Sequence, residues 1–206
     1  MSLMFGVGLF PDRVPQMPTS PFAPARRVLL LAALVLSASP AATASAEPAP
    51  LATVAAVDIA RYAGLWYEIA AIPMWFQRNC LGDTTARYTP NPDGTIEVVN
   101  RCRTRDGSSE ARGLARVVDT RSNARLEVSF FSLLGWRPVW GDYWVIALAP
   151  DYSWAVVSGP KRRYGWILAR TPALEDATLA TIRQRLEALG YDPALFVPTA
   201  QQAAPR

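Results

Sequence analysis

Eight short segments rich in β-branched and aromatic residues follow one another through the middle of this 206-residue chain, and most are joined by only a few residues. Strands with such short connections usually pair with their sequence neighbours, so the pattern predicts an antiparallel up-and-down meander. Eight antiparallel strands close into a barrel that is wide enough for one small ligand. The predicted strands are 64–72, 83–90, 95–103, 109–118, 124–131, 142–149, 153–158 and 164–170.

The spacing of the apolar residues changes after the last of these segments. The residues that recur at helical spacing are Leu179, Ile182, Leu186 and Leu189. Glu175 and Asp176 suit the first turn of a helix and Gly190 suits its end, so we predict an amphipathic helix over 175–189. The predicted fold is therefore all-β, an eight-stranded antiparallel up-and-down β-barrel with one C-terminal α-helix packed on the barrel wall.

The N-terminal region has the organisation of a secretory leader. Arg26 and Arg27 precede an apolar run over 28–36, and the small residues Ala-Ser-Ala at 44–46 follow as a cleavage motif. The apolar run is too short for a transmembrane helix, which needs about 20 apolar residues. We therefore expect a signal peptide over 1–46, with the arginine pair leaving both the general and the twin-arginine export routes open.

The remaining chain is long enough for one domain with a single core. Met17 is an alternative translation start to Met1, since it gives a leader of ordinary length. We predict a disordered Ala/Pro-rich linker over 47–56, a barrel domain over 57–199 and a disordered tail over 200–206.

Charge and composition exclude several classes of function. The formal net charge is +4 for the whole chain and falls to +2 without the leader, which carries Arg13, Arg26, Arg27 and Asp12. Nucleic-acid binding needs a concentrated basic face, which is not indicated. The chain contains no histidine and only two cysteines, so we expect no catalytic triad, no zinc site and no cofactor. The remaining acids are scattered singly, and we expect no enzymatic activity.

The two cysteines, Cys80 and Cys102, flank one predicted hairpin. A turn signal at 91–94 lies between strand-like stretches over 84–89 and 95–101, so the cysteines fall near the matching far ends of that hairpin. In an oxidising compartment such a pair can form a disulfide. Two free buried thiols remain the alternative, because a change of register by one or two residues would separate the side chains.

Three motifs resemble those of the lipocalin family. They are Gly64-x-Trp66 in the first strand, Asp151-Tyr152 between two apolar strands, and Arg170 at the end of the last strand. The resemblance extends over about 57–197 and is strongest to bacterial outer-membrane lipocalins. It is carried further by the segments Trp66-Tyr67-Glu68-Ile69-Ala70, Asn100-Arg101-Cys102, Val128-Ser129-Phe130-Phe131 and 166–172.

The resemblance assigns structural roles to the motif residues. It implies that Trp66 and Arg170 stack as a cation–π pair at the closed end of the barrel, and that Asp151 and Tyr152 form a turn at the same end. No cysteine follows the predicted cleavage site, which departs from the lipoprotein members of the family and argues against direct lipid anchoring.

The resemblance implies that Trp66 points into the barrel, and strand alternation then identifies the other residues that point inward. Those expected to bind ligand are Ala86, Tyr88, Val98, Asn100, Ala115, Val128, Phe130, Tyr143, Val145, Val157 and Trp166. Further inward positions are Val117, Leu126, Ala147, Ala155, Tyr164 and Leu168. The same alternation turns Trp144, Ile146, Trp154 and Val156 outward, where the helix can cover them. Small barrels can also be filled by their own side chains, but small inward residues such as Gly113 and Ala147 favour a cavity.

Glu68 shares the inward face with Trp66. A buried carboxylate needs a partner or a raised pKa, and the sequence indicates no partner. It is also the one candidate reactive group if the barrel is an enzyme that acts on a lipid.

The end opposite Trp66 and Arg170 is predicted to be the mouth. Its connections are 73–82, 104–108, 132–141 and 159–163, and the residues expected to contact ligand there are Trp75, Phe76 and Arg162. Exposed aromatic residues mark a binding or membrane-contact surface, and basic residues such as Lys161 and Arg163 attract anionic headgroups. We therefore expect a periplasmic lipid carrier or scavenger whose ligand is a fatty acid or lysophospholipid, with peripheral contact to the outer membrane. The alternatives are a lipid-modifying enzyme and a filled-barrel envelope protein.

Overall fold

The computed structural model describes residues 49–202, so the predicted signal peptide lies outside the described residues. The strands are β1 (Gly64–Ala71), β2 (Gly82–Pro90), β3 (Ile96–Thr104), β4 (Gly107–Val117), β5 (Arg125–Ser129), β6 (Gly141–Leu148), β7 (Trp154–Ser158), β8 (Gly165–Ala169) and β9 (Val197–Pro198). Each of the first eight strands pairs antiparallel with its sequence neighbour, and pairing of β1 with both β2 and β8 closes the barrel. The predicted eight-stranded antiparallel barrel is confirmed.

One predicted strand is shorter than expected. Pairing of β5 with β6 ends at Val128, opposite Gly141, so Phe130 and Phe131 continue beyond the ladder. The Arg137 guanidinium donates a hydrogen bond to the Ser129 carbonyl at 3.0 Å. This side-chain contact takes the place of a strand partner at the point where the backbone leaves the sheet.

A one-turn helix, α1 (Ile59–Tyr62), crosses one end of the barrel. The Asp58 side chain caps it by accepting from the backbone N–H groups of Ala60 and Arg61. Val57 N–H donates to the Ser122 carbonyl, and the Arg61 guanidinium donates to the Pro150 carbonyl. The segment therefore closes the barrel end that carries the β4–β5 and β6–β7 loops. A single turn has no apolar period, which is why the sequence did not predict it.

The helix α2 (Asp176–Ala188) lies against the outside of the barrel, as predicted. Ile182 and Leu186 are fully buried and share a core cluster with Ile146 and Val156, two of the strand residues predicted to point outward. Within residues 49–202 no helix is long and apolar enough to cross a membrane.

Two bulges change which side chains face inward. The pairing of β6 with β7 shifts between Val145 and Ala147, and Ala147 joins the outer core cluster beside Ile146. The prediction that Ala147 points into the barrel is therefore wrong, because an extra residue reverses the alternation. A similar shift in β1, between Glu68 and Ala70, places Ala70 in the outer cluster while Glu68 lines the interior.

Both ends of the described chain contact the barrel. The segments 47–56 and 200–206 were predicted to be disordered, and the described parts of them, 49–56 and 200–202, are instead held against the barrel. Leu51 is only 3% exposed, and Val54 N–H donates to the Val145 carbonyl at 3.0 Å. At the C-terminal end β9 pairs with β1, and the Gln201 amide donates to the Thr84 carbonyl at 2.9 Å. Alanine and proline dominate the composition of the linker, but isolated apolar residues within it are enough to anchor it.

Candidate ligand-binding cavity

The barrel encloses a cavity of about 670 Å³ whose lining is mostly apolar. This volume lies in the range of small-molecule sites. Among the residues predicted to contact ligand, those that line it are Trp75, Phe76, Ala86, Tyr88, Val98, Asn100, Ala115, Val128, Phe130, Tyr143, Val145, Val157 and Trp166. The lining continues from α1 at the closed end to the β1–β2 and β5–β6 loops at the mouth.

Part of the space expected beside Gly113 is filled. The Phe130 ring lies so close to Gly113 that a Cβ atom there would be 2.8 Å from the ring carbons. Phe130 lies beyond the end of β5 and its ring covers the glycine. The cavity therefore does not extend into this corner, and Gly113 serves close packing.

Arg162, which the sequence analysis assigned to the ligand site, does not line the cavity. Its guanidinium donates to the Leu189 carbonyl at 2.9 Å and to the Ala49 carbonyl at 2.8 Å, on the outside of the barrel. The unpaired carbonyl groups at a helix C-terminus attract a cation, and α2 ends beside this loop. Its neighbours Lys161 and Arg163 are exposed and also lie outside the lining.

The mouth carries a group of exposed apolar side chains. Trp75 is 76% exposed, Trp136 is 66% exposed and Leu134 is 101% exposed. Leu133 and Trp136 pair across a tight turn in which Leu134 and Gly135 both have positive φ. This geometry presents Leu134 and Trp136 to the surroundings at the rim of the cavity.

The closed end is held by Arg170. Its Cζ atom lies 3.9 Å from the centroid of the Trp66 ring, and its N–H groups donate to the carbonyls of Leu65, Arg61 and Tyr62. A Cβ atom at Gly64 would lie 3.4 Å from the Arg170 guanidinium, and φ at this position is +98°. Glycine therefore suits both the positive φ and the close approach of the arginine. The motif residue Arg170 therefore contacts both the Trp66 ring and the backbone of α1 and β1.

The second motif forms the β6–β7 turn at the same end. Asp151 accepts hydrogen bonds from the backbone and the hydroxyl of Ser153, and Tyr152 adopts a φ of +64°. The Tyr152 hydroxyl accepts from Asp58 N–H, and the Arg61 guanidinium lies 4.0 Å from the Tyr152 ring centroid. These contacts join the turn to α1.

Glu68 has two side-chain partners, and one of them, Thr199, is remote in sequence. It is 7% exposed, and its carboxylate accepts from the Thr199 hydroxyl at 2.6 Å and from the Gln77 amide at 2.8 Å. Burial raises the pKa of the Glu68 carboxyl, and these two hydrogen bonds offset part of the rise. Gln77 in turn accepts from the Trp166 indole N–H at 3.1 Å. Glu68 thus joins the mouth segment to the C-terminal tail, and both its oxygens already accept from protein donors.

Three tyrosine hydroxyls meet in the part of the cavity near α1. The Tyr143 hydroxyl is 2.8 Å from that of Tyr62 and 2.9 Å from that of Tyr88. Burial raises the pKa of Tyr88 to about 12 and raises the pKa values of Tyr62 and Tyr143 well above their ordinary value. All three are therefore neutral at physiological pH. Sequence reasoning missed Tyr62 because it lies on α1, outside the predicted strands.

The predicted disulfide is confirmed. Cys80 and Cys102 are bonded, with their Cα atoms 5.5 Å apart. The bond ties the β1–β2 connection, which carries Trp75, to the mouth end of β3. Among residues 49–202 no group of three histidine, cysteine or acidic side chains is placed to hold a metal ion.

Residues 57–201 match the family model described as a lipocalin-like domain. The chain belongs to the lipocalin family. It is 38% identical over 162 residues to temperature-induced lipocalin-1 of Arabidopsis thaliana, and this alignment covers 77% of the present chain and 87% of the Arabidopsis protein. It is 39% identical over 155 residues to the outer membrane lipoprotein Blc of Citrobacter freundii, and this alignment covers 73% of the present chain and 84% of the Citrobacter protein.

The barrel is also similar to solved structures. Insecticyanin from the tobacco hornworm Manduca sexta matches with a TM-score of 0.62 at 19% identity, over 74% of this lipocalin and 85% of that chain. At this identity the match supports the fold alone. Members of the lipocalin family bind small hydrophobic ligands and are generally carriers rather than enzymes.

Proposed function

We propose that this lipocalin is a periplasmic carrier or scavenger that binds a fatty acid or a lysophospholipid in its barrel. The observation that carries the proposal is the apolar cavity of about 670 Å³, open at an end rich in exposed aromatic residues. A filled barrel would leave no such space, which argues against a purely structural protein. An enzyme would need a free reactive group, and the Glu68 carboxylate is engaged by Thr199 and Gln77.

The surface at the mouth favours peripheral contact with the outer membrane. Exposed basic residues, including Arg105, Lys161 and Arg163, lie on the connections at the same end as Trp75 and Trp136. Indole rings partition to the membrane interface and cations are attracted to anionic headgroups. A carrier that rests its mouth on a lipid surface can exchange its ligand without passing it through water.

Ligand binding is tested by titrating saturated fatty acids and lysophospholipids of increasing chain length. Each methylene buried in the cavity contributes about 0.8 kcal/mol, so affinity should rise about fourfold per methylene until the cavity is full. Replacement of Ala115, which is 3% exposed and lines the cavity, by phenylalanine should shorten the best ligand. Affinity that does not change with chain length would contradict the proposal.

Membrane contact is tested by sedimentation with vesicles of phosphatidylglycerol and phosphatidylethanolamine. The double variant Leu134→Ser/Trp136→Ser should lose most of the vesicle-bound fraction, because it removes apolar groups from the mouth. Val118→Ser is a matched control, since Val118 is 50% exposed but follows β4 at the closed end. Equal loss in both proteins would mean that the mouth is not the contact surface.

A further inference from the structure

The three tyrosine hydroxyls near α1 have more hydrogen-bond donors than they use among themselves. Tyr62, Tyr143 and Tyr88 bring three O–H hydrogens, and the two hydrogen bonds between them occupy two. Within residues 49–202 no other side chain or carbonyl bonds to these hydroxyls. One O–H group therefore remains available to a group in the cavity.

Asn100 adds an unpaired acceptor to the same wall. Its Oδ1 atom is buried and has no donor among residues 49–202. Val98 and Cys102 flank it along β3, and Ala86 and Ala111 lie directly opposite it on β2 and β4, so none of these four adjacent residues offers a side-chain donor. The two small alanines leave space in front of the amide, and the broad amide torsion lets the oxygen turn toward that space.

The two polar groups are close enough to act on one ligand atom. Tyr88 pairs with Val98 in the β2–β3 ladder, so Asn100 is its diagonal neighbour on the inner face. Diagonal neighbours in an antiparallel pair lie about 7 Å apart, within reach of long side chains. The side chains directly beside this pair, Ala86, Val98 and Ala111, are apolar.

We propose that the inner part of the cavity binds a neutral hydroxyl group on the buried end of the ligand, held between Asn100 and the tyrosine hydroxyls; the inference rests on the proposed lipid-carrier function. A hydroxyl accepts from a tyrosine and donates to Oδ1 through a single oxygen. A methyl group leaves both protein groups unpaired. A carboxylate cannot donate and would bury a charge, since the Arg170 guanidinium is engaged by backbone carbonyls. The ligand class is therefore a hydroxylated lipid, such as an ω-hydroxy fatty acid, that enters hydroxyl end first.

Matched ligand pairs test the proposal. Saturated fatty acids of 10 to about 16 carbons are titrated beside the ω-hydroxy acids of the same length, a range set by the cavity volume. The measured quantity is the ratio of the two dissociation constants at each length. In an ordinary apolar cavity the added hydroxyl weakens binding about tenfold or more, because it loses its water without replacement. The wild-type protein should instead bind one ω-hydroxy acid at least as tightly as its parent.

Two variants connect the preference to the assigned residues. Asn100→Leu and Tyr88→Phe remove one partner each while keeping side-chain size, and each should shift the ratio about tenfold against the hydroxy acid. Tyr67→Phe is the control, since it removes a hydroxyl from the strand position next to Trp66 that does not line the cavity. Thermal melts check folding, and Asn100→Ala replaces Asn100→Leu if the latter does not fold.

The outcomes separate this inference from the function on which it rests. If the parent acids bind but the hydroxyl weakens binding at every length, and equally in wild type and variants, the hydroxyl site is wrong and the carrier function stands. If neither series binds, both proposals fail. A preference that Tyr67→Phe also abolishes would assign it to a general change in the barrel and overturn the site.

Discussion

Arg170 illustrates how one side chain can combine several stabilising contacts. It stacks on Trp66 and donates to three backbone carbonyls at the closed end. Arg170→Ala should lower the free energy of unfolding by about 2–4 kcal/mol, because a partly buried cation–π pair and charge-assisted hydrogen bonds are lost together. Ligand preference should not change, because the guanidinium lies behind the Trp66 ring.

A second arginine–tryptophan pair provides the control for that experiment. The Arg125 guanidinium lies 4.5 Å from the Trp144 ring centroid, but Arg125 is exposed and its side chain has no backbone partner among residues 49–202. Arg125→Ala should cost at most about 1 kcal/mol. Equal destabilisation by the two variants in chemical denaturation would contradict the role assigned to the carbonyl contacts.

Glu68 should make the stability of the protein depend on pH. Because burial raises its pKa, the folded state holds this proton to a higher pH than the unfolded state does. The stability contributed by the group is fully present below the unfolded pKa and is lost as the pH rises through the folded pKa. Glu68→Gln keeps the shape and cannot titrate, so wild type should lose stability relative to this variant as the pH rises above about 4.3, the pKa of glutamate in an unfolded chain. Melting temperatures of both proteins between pH 4 and pH 8 measure the difference, and a constant difference would show that Glu68 is not perturbed.

At the scale of elements, the disulfide restrains the mouth. Cys80 and Cys102 are separated by 22 residues, and in the chain-entropy model a loop of this size contributes about 3 kcal/mol. The double variant Cys80→Ser/Cys102→Ser should lose about that amount in urea unfolding. Reducing agent should destabilise the wild type and leave the variant unchanged. Two titratable thiols in native, unreduced protein would show that the bond does not form.

The strands show which local predictions hold at this scale. Alternation from Trp66 placed Tyr88, Val98 and Val145 correctly on the cavity wall, because a regular pleat has a period of two. It failed at Ala147, where a bulge inserts one residue into the ladder. Bulges depend on the fit between neighbouring strands, so the pattern within one strand does not reveal them.

At the scale of the whole molecule, Arg162 connects parts of the chain that are far apart in sequence. Its guanidinium binds the Ala49 and Leu189 carbonyls and lies 5.9 Å from the Tyr191 ring centroid. Arg162→Ala should lower the free energy of unfolding by about 1–3 kcal/mol, because it leaves the helix-terminal Leu189 carbonyl and the Ala49 carbonyl without this partner. The affinity of this variant for fatty acids should equal that of the wild-type protein.

The neighbouring Arg163 is the matched control, since it is exposed and forms no ion pair among residues 49–202. Arg163→Ala should leave the melting temperature unchanged and should weaken binding to anionic vesicles. Loss of ligand affinity in Arg162→Ala without loss of stability would restore Arg162 to the ligand site.

The features that could be predicted from the sequence are those encoded by neighbouring residues. Strand periodicity, the helix over 175–189 and the Gly64-x-Trp66 motif each depend on a few adjacent positions, and together they specify the barrel. The cysteine pair belongs to this group because one hairpin brings both residues together. The partners of Glu68 do not, since Thr199 lies 131 residues away and the strand that carries it to β1 has only two residues. The tyrosine hydroxyls and the place of Arg162 likewise require the closed barrel, because hydrogen-bond partners contributed by α1, β2 and β6 meet only when every strand is paired.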